Sequence, residues 1–73
     1  MYNIEIQLKD SFSELEERLD AVSECHTSGT NMLNGNRDLC FEVDKPKAVE
    51  LLTVLFNHEN VVDELLHLSI CPV

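Results

Sequence analysis

Three cysteines and three histidines are the residues of this chain best able to bind a metal ion or to serve in nucleophilic chemistry. Only Cys25 and His26 are adjacent, whereas a structural zinc site usually draws four ligands from close pairs such as C-x₂-C. Glu64-x-x-His67 matches half of a di-iron carboxylate motif, but that chemistry needs a second such pair and two further glutamates on helices. We therefore expect no metal site and no cofactor.

Cys40 and His67 are the best available pair for a nucleophile and its base, because both are expected on one face of a sheet. Such catalysis needs the two groups within hydrogen-bond reach and a third group that orients the base. Glu5 and Glu42 are expected on the same face, and nearby negative charge disfavours the reactive thiolate. We therefore expect no catalytic residues and no enzyme.

The charge balance is strongly acidic: 14 Asp and Glu stand against 5 Lys and Arg, for a formal net charge of −9. Such a surface repels nucleic-acid phosphates and anionic membranes at distances within the Debye length. No apolar stretch approaches the length needed to cross a bilayer. We therefore expect no direct nucleic-acid partner and no membrane, and a basic protein surface as partner.

Five acidic residues are the predicted partner-binding set. Three of them succeed each other at four-residue spacing on the first predicted helix, where like charges destabilise the helix. Two of these also lie near the negative end of the helix dipole, which adds to the cost. The other two are expected on the exposed face of the sheet. The set is Glu16, Asp20, Glu24, Glu5 and Glu42.

The first strand and the first helix have clear patterns. Apolar and polar residues alternate from Tyr2 to Leu8, which predicts a strand with one buried face. Asp10 and Ser11 offer N-caps, and Ser11-x-x-Glu14 fits a capping box. The helix continues to about Cys25, with an apolar side at three- and four-residue steps formed by Phe12, Leu15, Leu19 and Val22.

A hairpin is predicted at Asn34-Gly35, the dipeptide that most readily adopts the two positive φ angles of a type I′ turn. The strand before it, over residues 26 to 33, is weak, and Gly29 indicates a bulge or an edge position. The strand after it has one apolar and one acidic side. Its apolar residues, which we expect in the core, are Leu39, Phe41 and Val43.

The second helix begins near Asp44 or Lys45, because Pro46 is favoured in a first helical turn, and it continues to about Asn57. Its apolar arc is wider than packing on one sheet requires, so part of it is available for another subunit. Residues 61 to 71 also suit a continuing helix. We interpret them as a strand, because a helix over 46 to 70 would be far longer than average.

The order βαββαβ predicts a single α+β domain over residues 1–73, with a four-stranded antiparallel sheet and two helices on one face, the ferredoxin-like arrangement. Strands 1 and 3 would be central, with Glu5, Gln7, Cys40 and Glu42 on the helix-free face. If Leu66, Leu68 and Ile70 point inward, that face gains Leu65, His67, Ser69 and Cys71.

RNA-recognition domains and small-molecule regulatory domains of the ACT type share this topology. Only Arg37 and Phe41 match the strand 3 signature of the RNA-binding domains, and stacking aromatics are missing. The loop after strand 1 lacks the glycine-containing turn of ACT domains. No motif is specific to a named family.

The leading hypothesis is a small non-enzymatic inhibitor or regulator that engages a basic protein, of the immunity, antitoxin or counter-defence type. We expect it in the cytoplasm, since the three cysteines cannot all pair within one chain and no secretory signal precedes them. The alternative is a self-associating ligand-sensing or scaffolding domain of ACT-like topology. It would form a homodimer through helix 2 or the open sheet face.

Overall fold

The computed structural model describes residues 1–9 and 14–73. The predicted caps at Asp10 and Ser11, and Phe12, lie outside the described residues. No helix within the described ranges is long and apolar enough to span a membrane. The elements in chain order are β1 (Tyr2–Leu8), α1 (Glu14–Val22), β2 (Thr27–Thr30), β3 (Arg37–Val43), α2 (Lys45–Asn57), α3 (Val61–Glu64) and β4 (Leu65–Pro72).

The four strands form one antiparallel sheet in the order β2-β3-β1-β4. β1 pairs along its whole length with β3 on one side and with β4 on the other, so that β1 and β3 are central, as the sequence predicts. The α+β class and the four-stranded antiparallel sheet are confirmed. The short helix α3 was not predicted.

The core lies on one face of the sheet, because alternate residues of a strand point to opposite faces. The residues predicted from β3, namely Leu39, Phe41 and Val43, are at most 4% exposed and are joined by the apolar residues of β1. The two longer helices complete this core cluster with Leu15, Leu19, Ala48, Leu51 and Leu55.

The connection between β2 and β3 reverses the chain at the predicted place, but the predicted type I′ turn is wrong. That turn needs positive φ at both central residues, here Asn34 and Gly35. Gly35 has φ 75°, but no non-glycine residue among those described has a positive φ, so Asn34 does not meet the requirement. Asn31 organises a longer loop instead: its carbonyl oxygen accepts from the amide of Gly35 at 2.8 Å, and its Oδ1 accepts from the amide of Leu33 at 2.9 Å. Because these bonds occupy residues 31–36, the predicted second strand is shortened to Thr27–Thr30.

Helix α2 begins where the sequence predicts. Asp44 is its N-cap, and the carboxylate Oδ1 accepts a hydrogen bond from the amide of Lys47 at 3.1 Å, while Pro46 occupies the first turn. This satisfies one of the free amides that every helix start leaves. The helix ends at Asn57, also as predicted.

The C-terminal segment is a strand from Leu65 to Pro72, which confirms the prediction in part, whereas residues 61–64 form α3. The pairing of β1 with β4 shifts between Gln7 and Leu8: Gln7 lies opposite His67, but Leu8 lies opposite Leu65. This bulge leaves Leu66 as an extra residue. The expectation that Leu66 points inward, which would place Leu65 on the exposed face, is therefore wrong: Leu66 is 48% exposed and the side chain of Leu65 packs against the core.

Candidate functional site

The face of the sheet opposite the core is the candidate site, and we call it the open face. It consists of Asn3, Glu5 and Gln7 of β1, Asp38, Cys40 and Glu42 of β3, and His67, Ser69 and Cys71 of β4. Glu5 lies opposite Cys40 and Ser69, and Gln7 lies opposite Asp38 and His67. The register thus brings together the residues that alternation in the sequence assigned to this face.

A shallow depression of about 390 Å³ lies in the open face. It is bordered by β2 residues 27–29, and its other polar lining comes from Glu5, Gln7, Asp38, Cys40 and His67. The short strand β2 is exposed throughout, and nothing lies within 4 Å of where a side chain at Gly29 would begin. The depression is therefore open to a large partner along this edge.

The charge of the open face is negative. Glu5, Asp38 and Glu42 are all exposed. Among the residues of the four described strands, Arg37 is the only lysine or arginine, and it lies opposite Leu8 on the core side. Glu42 has a nearby imidazole, with His26 Nε2 at 3.7 Å from its Oε2, which is too long for a strong hydrogen bond. The carboxylates of this face are thus largely uncompensated.

Cys40 and His67 both border the depression, but they do not form a nucleophile and base. They belong to β3 and β4, β1 lies between them, and Cys40 is level with Glu5 whereas His67 is level with Gln7, so their backbones are roughly 12 Å apart across the sheet. The Cys40 thiol instead donates a hydrogen bond to Asn3 Oδ1 at 2.7 Å. The contact needed for nucleophilic activation is not formed by these two residues.

Glu16 is bound inside the molecule rather than free on its surface. Its Oε1 accepts from Nε of Arg37 at 3.0 Å and lies 3.0 Å from Nη2 of the same guanidinium. The two side chains are 18% and 23% exposed, respectively, and the hydrogen bond to Glu16 raises the pKa of Arg37. Arg37 also donates from Nη1 to Thr30 Oγ1 at 3.1 Å. This contact therefore ties α1 to the hairpin of β2 and β3.

The predicted acidic row on the first helix is divided by the structure. Asp20 is exposed on α1, but the helix ends at Val22 rather than near Cys25, so Glu24 lies in the connection to β2. Glu16 faces Arg37. Of the predicted partner-binding residues, only Glu5 and Glu42 share the open face, and Asp38 joins them.

His58 is a buried polar residue whose environment the sequence did not reveal. It caps the C-terminal end of α2 and is 7% exposed. Its Nε2 lies 2.7 Å from Oε2 of Glu64, while Nδ1 is buried without a hydrogen-bond partner in the part of the chain that the structure describes. The carboxylate oxygen lacks hydrogen-bond alignment as well, so the contact is a close approach of imidazole and carboxylate without hydrogen-bond geometry. The two residues join the end of α2 to the end of α3, directly before β4.

Cys25 and Cys71 are free thiols in contrasting environments. Cys25 donates to the carbonyl oxygen of Thr27 at 2.9 Å and lies 3.4 Å from that of Cys40. Burial raises the pKa of the Cys25 thiol, and the negative charges of Asp20 and Glu16 act in the same direction. Cys71 is exposed near the end of β4.

We expect iodoacetamide to modify Cys25 several-fold more slowly than Cys71 near neutral pH. The thiolate is the reacting species, and a raised pKa lowers its fraction until the pH approaches that pKa. The difference between the two modification rates should narrow as pH rises. The rates would be measured by quenching the reaction at a series of times and quantifying the modified peptides by mass spectrometry. In urea, where the chain is unfolded, the two rates should converge. Equal rates in the folded protein at neutral pH would contradict the described environment of Cys25.

Within the described residues, no group of three or more His, Cys, Asp or Glu is arranged to hold a metal ion. Comparison of the chain with protein-family models, with curated proteins and with solved structures found no significant match.

Proposed function

We propose that this chain is a small acidic, non-enzymatic binding protein that inhibits or regulates a partner by engaging a basic surface with its open face. The observation that carries the proposal is the set of three exposed carboxylates, Glu5, Asp38 and Glu42, on a face whose strands place no lysine or arginine there. Glu5 is diagonal to both Asp38 and Glu42 on the neighbouring strand, at roughly 7–8 Å, and like charges this close repel unless something compensates for them. A basic partner supplies that compensation.

Electrostatic attraction determines how fast such a protein associates with its partner. Complementary charge steers the encounter and raises the association rate, and it also lets an acidic protein compete with nucleic acid for a basic surface. The net charge of −9 supports this role and disfavours direct contact with nucleic acid or an anionic membrane. Immunity proteins, antitoxins and counter-defence proteins are the functional types that use this principle, and we place the protein in the cytoplasm.

We further infer a ferredoxin-like βαββαβ arrangement in which α1 and α2 cover the core face of the sheet. Two features support it. The two central strands are β1 and β3, and each helix contributes buried leucines to the core cluster of the sheet, namely Leu15 and Leu19 from α1 and Leu51 and Leu55 from α2. With both helices on that side, the open face remains free for a partner.

The test compares two triple variants that remove the same amount of charge. The open-face variant carries Glu5→Gln, Asp38→Asn and Glu42→Gln, and the control carries Glu17→Gln, Asp20→Asn and Glu24→Gln. Glu16 is left intact because it binds Arg37. A partner would first be isolated by crosslinking to the wild-type chain in its source cells, and association would then be measured by stopped flow. We expect the open-face variant to associate about tenfold more slowly at low salt, with a smaller effect at high salt.

The control variant should keep an association rate close to that of the wild-type chain. If the control loses rate and the open-face variant does not, the binding surface is on the α1 side. If neither changes, electrostatic docking by these carboxylates is wrong. Circular dichroism of both variants would show that the fold is retained.

A second candidate is a self-associating ligand-sensing or scaffolding domain of ACT-like topology. It is favoured by one observation: Val49 and Phe56 on α2 are 56% and 58% exposed, so the wide apolar arc of this helix is not fully used by the core. Replacing Phe56 by lysine should abolish self-association through this helix and leave binding to a basic partner unchanged.

A further inference from the structure

The outer edge of β4 is a long, uncharged strand edge. β4 is at one end of the sheet, and no strand in the described part of the chain pairs with its outer side. It runs for eight residues, from Leu65 to Pro72, and contains no Asp, Glu, Lys or Arg. At the usual rise per residue it extends about 26 Å, close to the 32 Å long dimension of the molecule. Its unpaired amides and carbonyls are thus presented along most of one side.

Apolar side chains are exposed along the same strand. Leu66 is 48% exposed and Ile70 is 44% exposed, although Ile70 lies opposite the fully buried Ile4. Proteins that remain monomeric usually protect such an edge with charged residues, an early proline, a bulge or a very short strand. In β4, the bulge lies near one end, and Pro72 is the last residue of the strand.

The opposite edge of the sheet is shorter and has a cation beside it. β2 has only four residues and contains Gly29. At its end, Thr30 accepts a hydrogen bond from the guanidinium of Arg37, which places a cation beside the strand. Of the two edges of this sheet, therefore, only β4 offers a long template for another strand.

We propose that two copies of this chain associate through antiparallel pairing of β4 with β4, which joins their sheets into one eight-stranded sheet. A two-fold axis makes one strand complementary to itself, because the same segment supplies donors and acceptors on both sides. The pairing places the exposed apolar side chains of the two edges beside each other across the new strand pair. It leaves the open face of each copy accessible, so this interface is distinct from the proposed binding surface.

The lack of charged residues in β4 indicates that the strand pairing with its edge comes from a second copy of this chain rather than from a basic partner. A strand rich in Lys or Arg could form no salt bridge with β4, because β4 contains no Asp or Glu. Two copies with a net charge of −9 repel each other overall, but the strand at which they meet is neutral, and salt screens the remainder. The association should therefore strengthen as ionic strength rises, which is opposite to the salt dependence of binding to a basic partner.

The experiment is sedimentation equilibrium of the full chain over a range of concentrations at low and high salt. We expect a mass that tends to twice the 8.3 kDa of one chain, with tighter association at high salt. Leu66→Lys and Ile70→Lys should each weaken dimerisation by about tenfold or more, because a two-fold axis introduces the charge twice at one interface. Ser28→Lys on β2 is the matched control and should leave the dimer unchanged.

Hydrogen exchange provides a second readout that does not depend on a variant. Amides of β4 should become more protected as protein concentration rises, whereas those of β2 should not. A chain that is monomeric at all concentrations overturns the proposal. A dimer that is insensitive to both β4 variants also overturns it, and loss of that dimer with Phe56→Lys or Gln7→Lys would assign the interface to α2 or to the open face.

Discussion

Replacing Phe41 by alanine is expected to destabilise the protein by about 3–5 kcal/mol, a large part of the total stability of a domain this small. Phe41 is fully buried in the middle of β3 and lies opposite Ile4 of β1. Truncation removes its apolar surface from the core and leaves a cavity that the surrounding β1 and helix residues can fill only in part. Urea unfolding followed by circular dichroism would measure the loss.

The neighbours of Phe41 provide the controls, since they point to the open face. Glu42→Ala should change the free energy of unfolding by less than about 1 kcal/mol. Cys40→Ala removes one hydrogen bond, to Asn3, and should cost about 1 kcal/mol. Losses as large as that of Phe41→Ala at both positions would mean that β3 is buried on both faces, which is incompatible with the open face.

Glu64→Gln is expected to destabilise the protein by about 2 kcal/mol. The carboxylate of Glu64 is 23% exposed and lies 2.7 Å from Nε2 of His58, whose side chain is 6% exposed. Removing the charge leaves a buried imidazole with no charged partner, and its Nδ1 already lacks a hydrogen bond in the described structure. Leaving one member of a buried pair without its partner costs more than the pair itself contributes.

Two neighbouring acids are matched controls for this substitution. Glu59→Gln and Asp63→Asn remove the same charge from exposed positions and should change stability by only a few tenths of a kcal/mol. A double-mutant cycle of His58→Leu with Glu64→Leu isolates the coupling, because replacing both partners by apolar residues is often nearly neutral. If the effects of the two single substitutions simply add in the double variant, the contact between His58 and Glu64 does not stabilise the packing of α3 against the end of α2.

Local sequence patterns were sufficient to predict the central strands β1 and β3 and the start of α2. In β1 and β3, apolar and polar residues alternate, and since the side-chain period of a strand is two, this alternation determines which residues are buried and which share the open face. The alternation therefore predicts the open-face positions of Glu5, Cys40 and Glu42 without knowledge of the strand pairing. Asp44 and Pro46 likewise predicted the start of α2, because an N-cap depends on residues only three positions apart.

Most of the features that the sequence did not predict depend on contacts between segments far apart in the chain. Glu16 has an acidic sequence neighbourhood, but Arg37 is 21 residues away, and only the packing of α1 against the hairpin brings the two together. The bulge at Leu66 depends on how β4 aligns with β1, and it reversed the expected side of Leu65. The turn at Gly35 is the exception, because it is set by local contacts: the side-chain oxygens of Asn31 and Asn34 accept hydrogen bonds from amides two residues further along the chain.

By itself, the sequence determined the α+β class, the central pair of strands, the buried side of each central strand and the acidity of the surface. These properties follow from periodicity and composition, which are local. The tertiary structure alone decided which carboxylates are free and which are bonded, the burial of His58 beside Glu64, and the length of the unpaired edge of β4. The physical reason is that each of these depends on the distance between segments far apart in the chain, and that distance is set by packing of the whole domain.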